Sequence, residues 1–188
     1  FRFDFLTQNH QLEGAEPYQD FSYQVYPLPA TASADRDGFI QYVKHVLSNQ
    51  YDIFHIHTSY WTGFLLEELA KQAGIKKMIV HAHASFVDEA DPQKRKPLLE
   101  RHEEIKRDFP PDLATDFWAC SQLAADWLFG AQIPKSKIRI MKNAIEVERF
   151  RFDEARREAL RHELGLDGAL VLGTAGRFAY SKNYDFLL

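Results

Sequence analysis

Two periods of apolar spacing run through the chain. Apolar runs at 1–6, 21–27, 51–57, 77–83, 116–120 and 138–142 have strand length, and Phe21, Tyr23 and Val25 alternate as one side of a strand must. Between them the spacing turns helical. Phe39, Ile40, Val43, Val46 and Leu47 share one face of a helix predicted over 37–48, with Asp37 as its N-cap. A second helix is predicted over 62–73, closed by Gly74 just past its C-cap. Helices are also predicted over 123–129 and 154–164, the latter followed by Gly165. Residues 143–150 read as a loop, 170–175 as a further strand and 184–188 as the start of a helix. The stretch 85–111 breaks the pattern: it is highly charged, Pro92, Pro97, Pro110 and Pro111 punctuate it, and only 98–107 reads as helical.

Strands alternating with helices imply an α/β fold, a Rossmann-like parallel sheet flanked by helices on both faces. In such sheets ligands sit at the carboxyl ends of the strands. Those ends are unusual here. His55 and His57 close one strand, and His81 and His83 close the next. Residues two apart on a strand share a face, so neighbouring strands would bring four imidazoles together. His55 and His81, further from the loops, read as hydrogen-bonded core residues. His83, beside the loop, is the candidate catalytic residue, since imidazole titrates near neutral pH and suits a polyhydroxyl substrate. His57 is a candidate substrate-binding residue. H-x-H can also chelate zinc or copper, but no carboxylate or Cys has matching spacing, so neither a metal nor another cofactor is expected.

A second site candidate lies in Gly173-Thr174-Ala175-Gly176-Arg177-Phe178-Ala179-Tyr180-Ser181-Lys182-Asn183, which leaves a strand and enters a helix. Gly176 permits a sharp turn and close approach. Arg177 can fork onto phosphate oxygens, Lys182 adds a second cation, and Asn183 can cap the helix. The set suits a diphosphate; the plain alternative is an Arg–carboxylate pair at a turn. It is not a Walker loop.

Composition narrows the classes. The chain has 188 residues, 45% of them hydrophobic, enough for a sizeable core. Its net charge of −4 argues against a strongly basic nucleic-acid binder. A single cysteine, Cys120, excludes an intrachain disulfide. No apolar run approaches the ~20 residues of a membrane span. The chain begins at Phe1 and stops inside an apolar run, and is expected to be a piece of a longer protein.

Three separated segments, YDIFHIHTSY, ATDFWACSQLAADWLFG with IRIMKNAIEVERF, and GTAGRFAYSKNYDFLL, resemble in order and spacing the retaining glycosyltransferases of family 4, particularly bacterial capsular and exopolysaccharide enzymes. The resemblance implies a GT-B enzyme with two Rossmann-like domains. Residues 1–150 would be the N-terminal acceptor-side domain with its first strand missing, 151–168 an interdomain linker helix, and 169–188 the truncated start of the nucleotide-sugar-binding domain. Arg177 and Lys182, with Gly176, match the G-R-x4-K motif that holds the donor diphosphate. Asn143 opens a segment similar to N-G-[IV]-D-x3-F, with Ala144 in place of the usual Gly. His83 and Ser121 match positions facing the cleft. The implied reaction is metal-independent, retaining transfer of a sugar of the hexosyl type from a nucleotide-sugar to a saccharide or lipid-linked acceptor in polysaccharide biosynthesis, in the cytoplasm, with the fragment inactive alone.

Two other readings stand beside it: a nucleotide-sugar 2-epimerase of the same architecture, and a non-catalytic sugar- or nucleotide-binding module. The charged residues of 92–109 read as a solvated mixed-charge face; the alternative is peripheral contact with the inner membrane leaflet. Trp61 is a candidate for stacking on the acceptor, against a plain reading as the buried start of a helix. Trp118 and Trp127 read as core.

Overall fold

A computed structural model describes residues 2–8 and 22–187. Strands β1 (Phe3–Thr7) and β2 (Tyr23–Pro27) form a two-stranded parallel sheet. The expected Phe1 and Phe21 starts of these strands lie outside the described residues. A four-stranded parallel sheet follows in chain order: β3 (Ile53–Thr58), β4 (Lys77–Ala82), β5 (Asp116–Ala119) and β6 (Ile138–Ile140). The crossovers carry α1 (Arg36–Leu47), α2 (Leu65–Gln72), α3 (Pro92–Asp108) and α4 (Gln122–Leu128). Beyond them lie α5 (Glu154–Glu163) and α6 (Tyr184–Leu187). The α/β, parallel, helix-flanked architecture is as the sequence implied.

Register explains the packing. Ile56, Val80 and Phe117 stand side by side, as do Thr58, Ala82 and Ala119. These positions face one side of the sheet, and every strand residue in both apolar clusters comes from that side. One cluster joins Phe39, Val43 and Leu47 of α1 to Leu69 and Ala70 of α2 over Ile56 and Met78. The other joins Ile105 of α3 and Ala124, Ala125 and Leu128 of α4 over Val80, Ala82, Phe117 and Ala119. The opposite side carries His55 beside Ile79, and His57, His81, Trp118 and Arg139 in register across the four strands. Among the described residues, both apolar clusters pack against one face.

Local chemistry moves several boundaries. The N-cap of α1 is Asp35, not Asp37: its carboxylate accepts from the Gly38 amide at 2.9 Å. A Cβ on Gly38 would sit 2.1 Å from Asp35 Oδ2 and push the capping carboxylate aside. Asp37 falls in the first turn, where its charge suits the helix N-terminus. Helix α2 begins three residues later than expected, at Leu65, and the Trp61 amide before it donates to His102 Nδ1 at 3.0 Å. Gly74 closes it with φ +80°. Helix α3 is much longer than 98–107. Pro92 occupies its first turn, where a missing N–H costs nothing, and Asp91 caps it through the Gln93 amide at 2.9 Å. Pro97 lies inside it. Residues 170–175, expected as a strand, pair with no strand among the described residues; Leu170 and Leu172 are each 89% exposed. Among the described residues, Ile133 is the last that is buried.

Candidate active site

The carboxyl ends of β3, β4 and β5 open onto a cleft of about 540 Å³. Its wall is built from loops that leave those strands and from the 176–182 turn. His83, Ser121, Arg177 and Lys182 line it, with Asp88 and Ser181 between them. Four residues singled out in the sequence thus meet in one place, although 56 residues separate Ser121 from Arg177.

His83 sits one residue past β4, tied down by its amide, which donates to the Thr58 carbonyl at 3.1 Å. Its ring Nε2 lies 2.7 Å from His57 Nδ1. Burial holds the His83 ring below the usual imidazole pKa, so it is neutral at pH 7. A neutral ring can donate from only one nitrogen. For His83 to offer Nδ1–H to a ligand, His57 must donate to its Nε2. His57 does not line the cleft; it sets the tautomer of the residue that does.

Behind this pair, His55 Nε2 and His81 Nδ1 are 3.3 Å apart, and the two rings stack with an interplanar angle of 7°. Burial first, then the charges of neighbouring imidazoles, pushes His57 and His81 down to about 4. His55 is lowered for the same reasons. His81 is buried as expected, and its Nε2 has no hydrogen-bond partner. His55 is only half-buried.

The 176–182 turn departs from its sequence reading in one respect. Gly176 does not adopt a positive φ. Its value is space: a Cβ there would stand 3.2 Å from Lys182 Cε and 3.4 Å from the Tyr184 hydroxyl, which donates to the Gly176 carbonyl at 3.1 Å. Lys182 ends a 3₁₀ turn, Tyr180–Lys182, and Asn183 follows in the left-handed region with φ +47°. The Asn183 carbonyl accepts from Phe186 N, so Asn183 starts α6 through its backbone. Arg177 is 85% exposed and 3.8 Å from Asp88 Oδ2. Asp88 also accepts from the Ser181 amide at 2.9 Å and its hydroxyl at 3.2 Å. Nothing in the sequence marked Asp88, one acid among many in a charged loop.

Two other candidates resolve differently. Ser121 lines the cleft, but its hydroxyl caps α4 by accepting from the Ala124 amide at 3.1 Å. Asn143 is exposed and lies away from the cleft walls. Trp61 is no stacking platform: it is 2% exposed, packs on Phe64 and Phe109, and donates its indole N–H to the Leu128 carbonyl at 2.8 Å. Trp127 joins that core at its edge, whereas Trp118 sits on the histidine face. Three of the six Lys and Arg residues of α3 are paired along the helix: Lys96 with Glu100, Arg101 with Glu104, Lys106 with Glu103. Among the described residues no helix is long and apolar enough to cross a membrane.

A parallel sheet with its cleft at the strand ends is the arrangement of a Rossmann-like domain, whose ligands bind at that edge. Residues 1–149 match the Glyco_transf_4 family, Glycosyltransferase Family 4, and the chain belongs to that family. No curated protein matches it. The fold is similar to the crystal structure of Anabaena Alr3699/HepE in complex with UDP and glucose, with a TM-score of 0.58 and 17% identity over 99% of this chain. The chain spans 56% of the length of that protein.

Proposed function

We infer that the protein forms the acceptor side of a retaining glycosyltransferase that moves a hexosyl-type sugar from a nucleotide-sugar to a saccharide or lipid-linked acceptor in polysaccharide biosynthesis, in the cytoplasm. Family membership supports glycosyl transfer in general. The observation that carries the finer reading is the meeting of His83 with Arg177 and Lys182 in one strand-end cleft. A leaving diphosphate gains negative charge as the glycosidic bond breaks, and two cations beside it favour that transition state without a metal at the phosphate. Gly176 leaves room for Lys182 to fold over the turn. His83 contributes a hydrogen bond from the acceptor side, held in orientation by His57. Residues 1–150 would present the acceptor, 151–168 would link, and 169–188 would open the donor domain. The UDP named with Alr3699/HepE makes a uridine donor the first to try.

The test is kinetic, in the full-length protein with a panel of nucleotide-sugars. Arg177→Ala and Lys182→Ala should each lower kcat/KM for the donor by roughly ten- to a hundredfold, since a charge-assisted bond is worth about 1.5–3 kcal/mol. The acceptor KM should hardly move. Arg177→Lys should rescue only in part, because an ammonium lacks the bidentate fork. His83→Ala should lower turnover with a smaller effect on donor binding. Normal turnover in both cation variants would make the pair a structural turn.

A further inference from the structure

The three imidazoles behind the cleft have the makings of a metal site. His55, His57 and His81 each offer a ring nitrogen, and these nitrogens all lie within 4.8 Å of one another. Two nitrogens bound at ~2.0–2.1 Å to a tetrahedral ion stand about 3.3 Å apart. His55 Nε2 and His81 Nδ1 are already at that spacing, 3.3 Å. Two adjacent, register-locked strands supply all three rings, so the spacing rests on rigid backbone. The His57 nitrogen completes the set within the same 4.8 Å.

The surroundings fit ligation. His83 is bonded to His57 Nδ1 and orients its ring, as outer partners of metal-bound histidines do. His81 is 7% exposed, and its Nε2 lacks a hydrogen-bond partner. Ligation through Nδ1 would make that unpartnered nitrogen the N–H. The Trp118 ring stands edge-on to His55 and His81, with centroids at 5.2 and 5.8 Å, and walls one side. The sequence argument against a metal was that no carboxylate or thiol had the right spacing. The third imidazole, arriving from the neighbouring strand, answers it.

We propose that His55, His57 and His81 form a three-imidazole site for a divalent transition-metal ion of the zinc type, with the fourth position open to water beside His57. Neutral nitrogen donors select zinc, copper(II) or nickel(II); magnesium and calcium demand oxygen ligands and should be refused. The site is separate from the diphosphate turn, so its occupancy would act on the cleft only through the His57–His83 bond.

Zinc chloride titrated by calorimetry into untagged, metal-stripped protein should bind one ion per chain, and zinc should raise the urea midpoint. Cobalt(II) should give the intense visible absorption of a tetrahedral nitrogen site. His57→Gln should weaken zinc binding at least tenfold, and His55→Gln should do the same. His45→Gln, on the exposed side of α1, should leave it unchanged. Zinc affinity within threefold of wild type in His57→Gln, or magnesium binding as tight as zinc, would overturn the site. Because binding is read directly, the result is independent of whether the transferase reading stands.

Discussion

Burial gives His102 its role at the scale of single residues. It is fully buried, accepts from the Trp61 amide through Nδ1, and has Nε2 3.1 Å from the Trp127 carbonyl, which it stacks upon. Those partners fix the tautomer: Nε2 carries the proton. The ring thereby pins the loop after β3 to α3 and α4. His102→Ala would leave a buried N–H and a buried carbonyl unpaired beside a cavity, and should cost about 2–4 kcal/mol in urea unfolding. Burial, only partly offset by the Trp127 carbonyl, lowers the pKa of this ring. The unfolded chain therefore binds a proton at His102 before the folded one does. Its contribution is complete above the unfolded value of ~6.5 and is lost as pH falls from there toward the folded value. Stability measured from pH 7.5 to 5 should fall more steeply for wild type than for His102→Gln; parallel curves would show that the ring titrates alike in both states. The sequence held no sign of this. His102 sits in a run of charges, and only the fold shows that its side of α3 faces the core.

Among the elements, α3 and the loop before it reach toward the 176–182 turn. Arg95 of α3 lies over the Tyr180 ring at 4.6 Å, and Asp88 holds the start of the Tyr180–Lys182 turn. The Asp88 carboxylate thus occupies donors that a phosphate would use, and stands near Arg177. A diphosphate entering there must compete with it. Asp88→Ala should tighten inorganic pyrophosphate binding about two- to fivefold, matching the about 0.5–1 kcal/mol of an exposed pair. Calorimetry at low salt would measure it, and weaker binding in the variant would make Asp88 part of the ligand's own cradle. Element prediction succeeded where one period ran uninterrupted, as in β4. It failed where local capping chemistry decided the boundary. Pro92 in a first turn and Pro97 within α3 look like breaks in one dimension, yet Asp91 starts a helix through both.

On the scale of the whole molecule, strand order turns scattered letters into a site. The H-x-H pairs were legible as pairs; their convergence required β3 and β4 to be neighbours in the observed register. Arg177 and Lys182 were legible as a turn, whereas their meeting with His83 required the chain to return across the sheet end. The same architecture divides stability unevenly. Strand β4 is paired on both sides and lies under both clusters, with Met78, Val80 and Ala82 all nearly or fully buried. Past Ile140 the balance reverses: Phe150, Phe152, Phe178 and Phe186 are each more than 70% exposed, and α5 buries nothing. Few buried contacts mean a low free energy of local opening. In hydrogen exchange, amides of β4 and β5 should exchange only through global unfolding. Amides of 170–175 should exchange within about tenfold of an unstructured peptide, since a lone extended segment has no ladder to protect it. Protection of 170–175 comparable to β4 would show that this segment pairs as a strand, as the sequence first suggested, and would move the edge of the stable fold past α5.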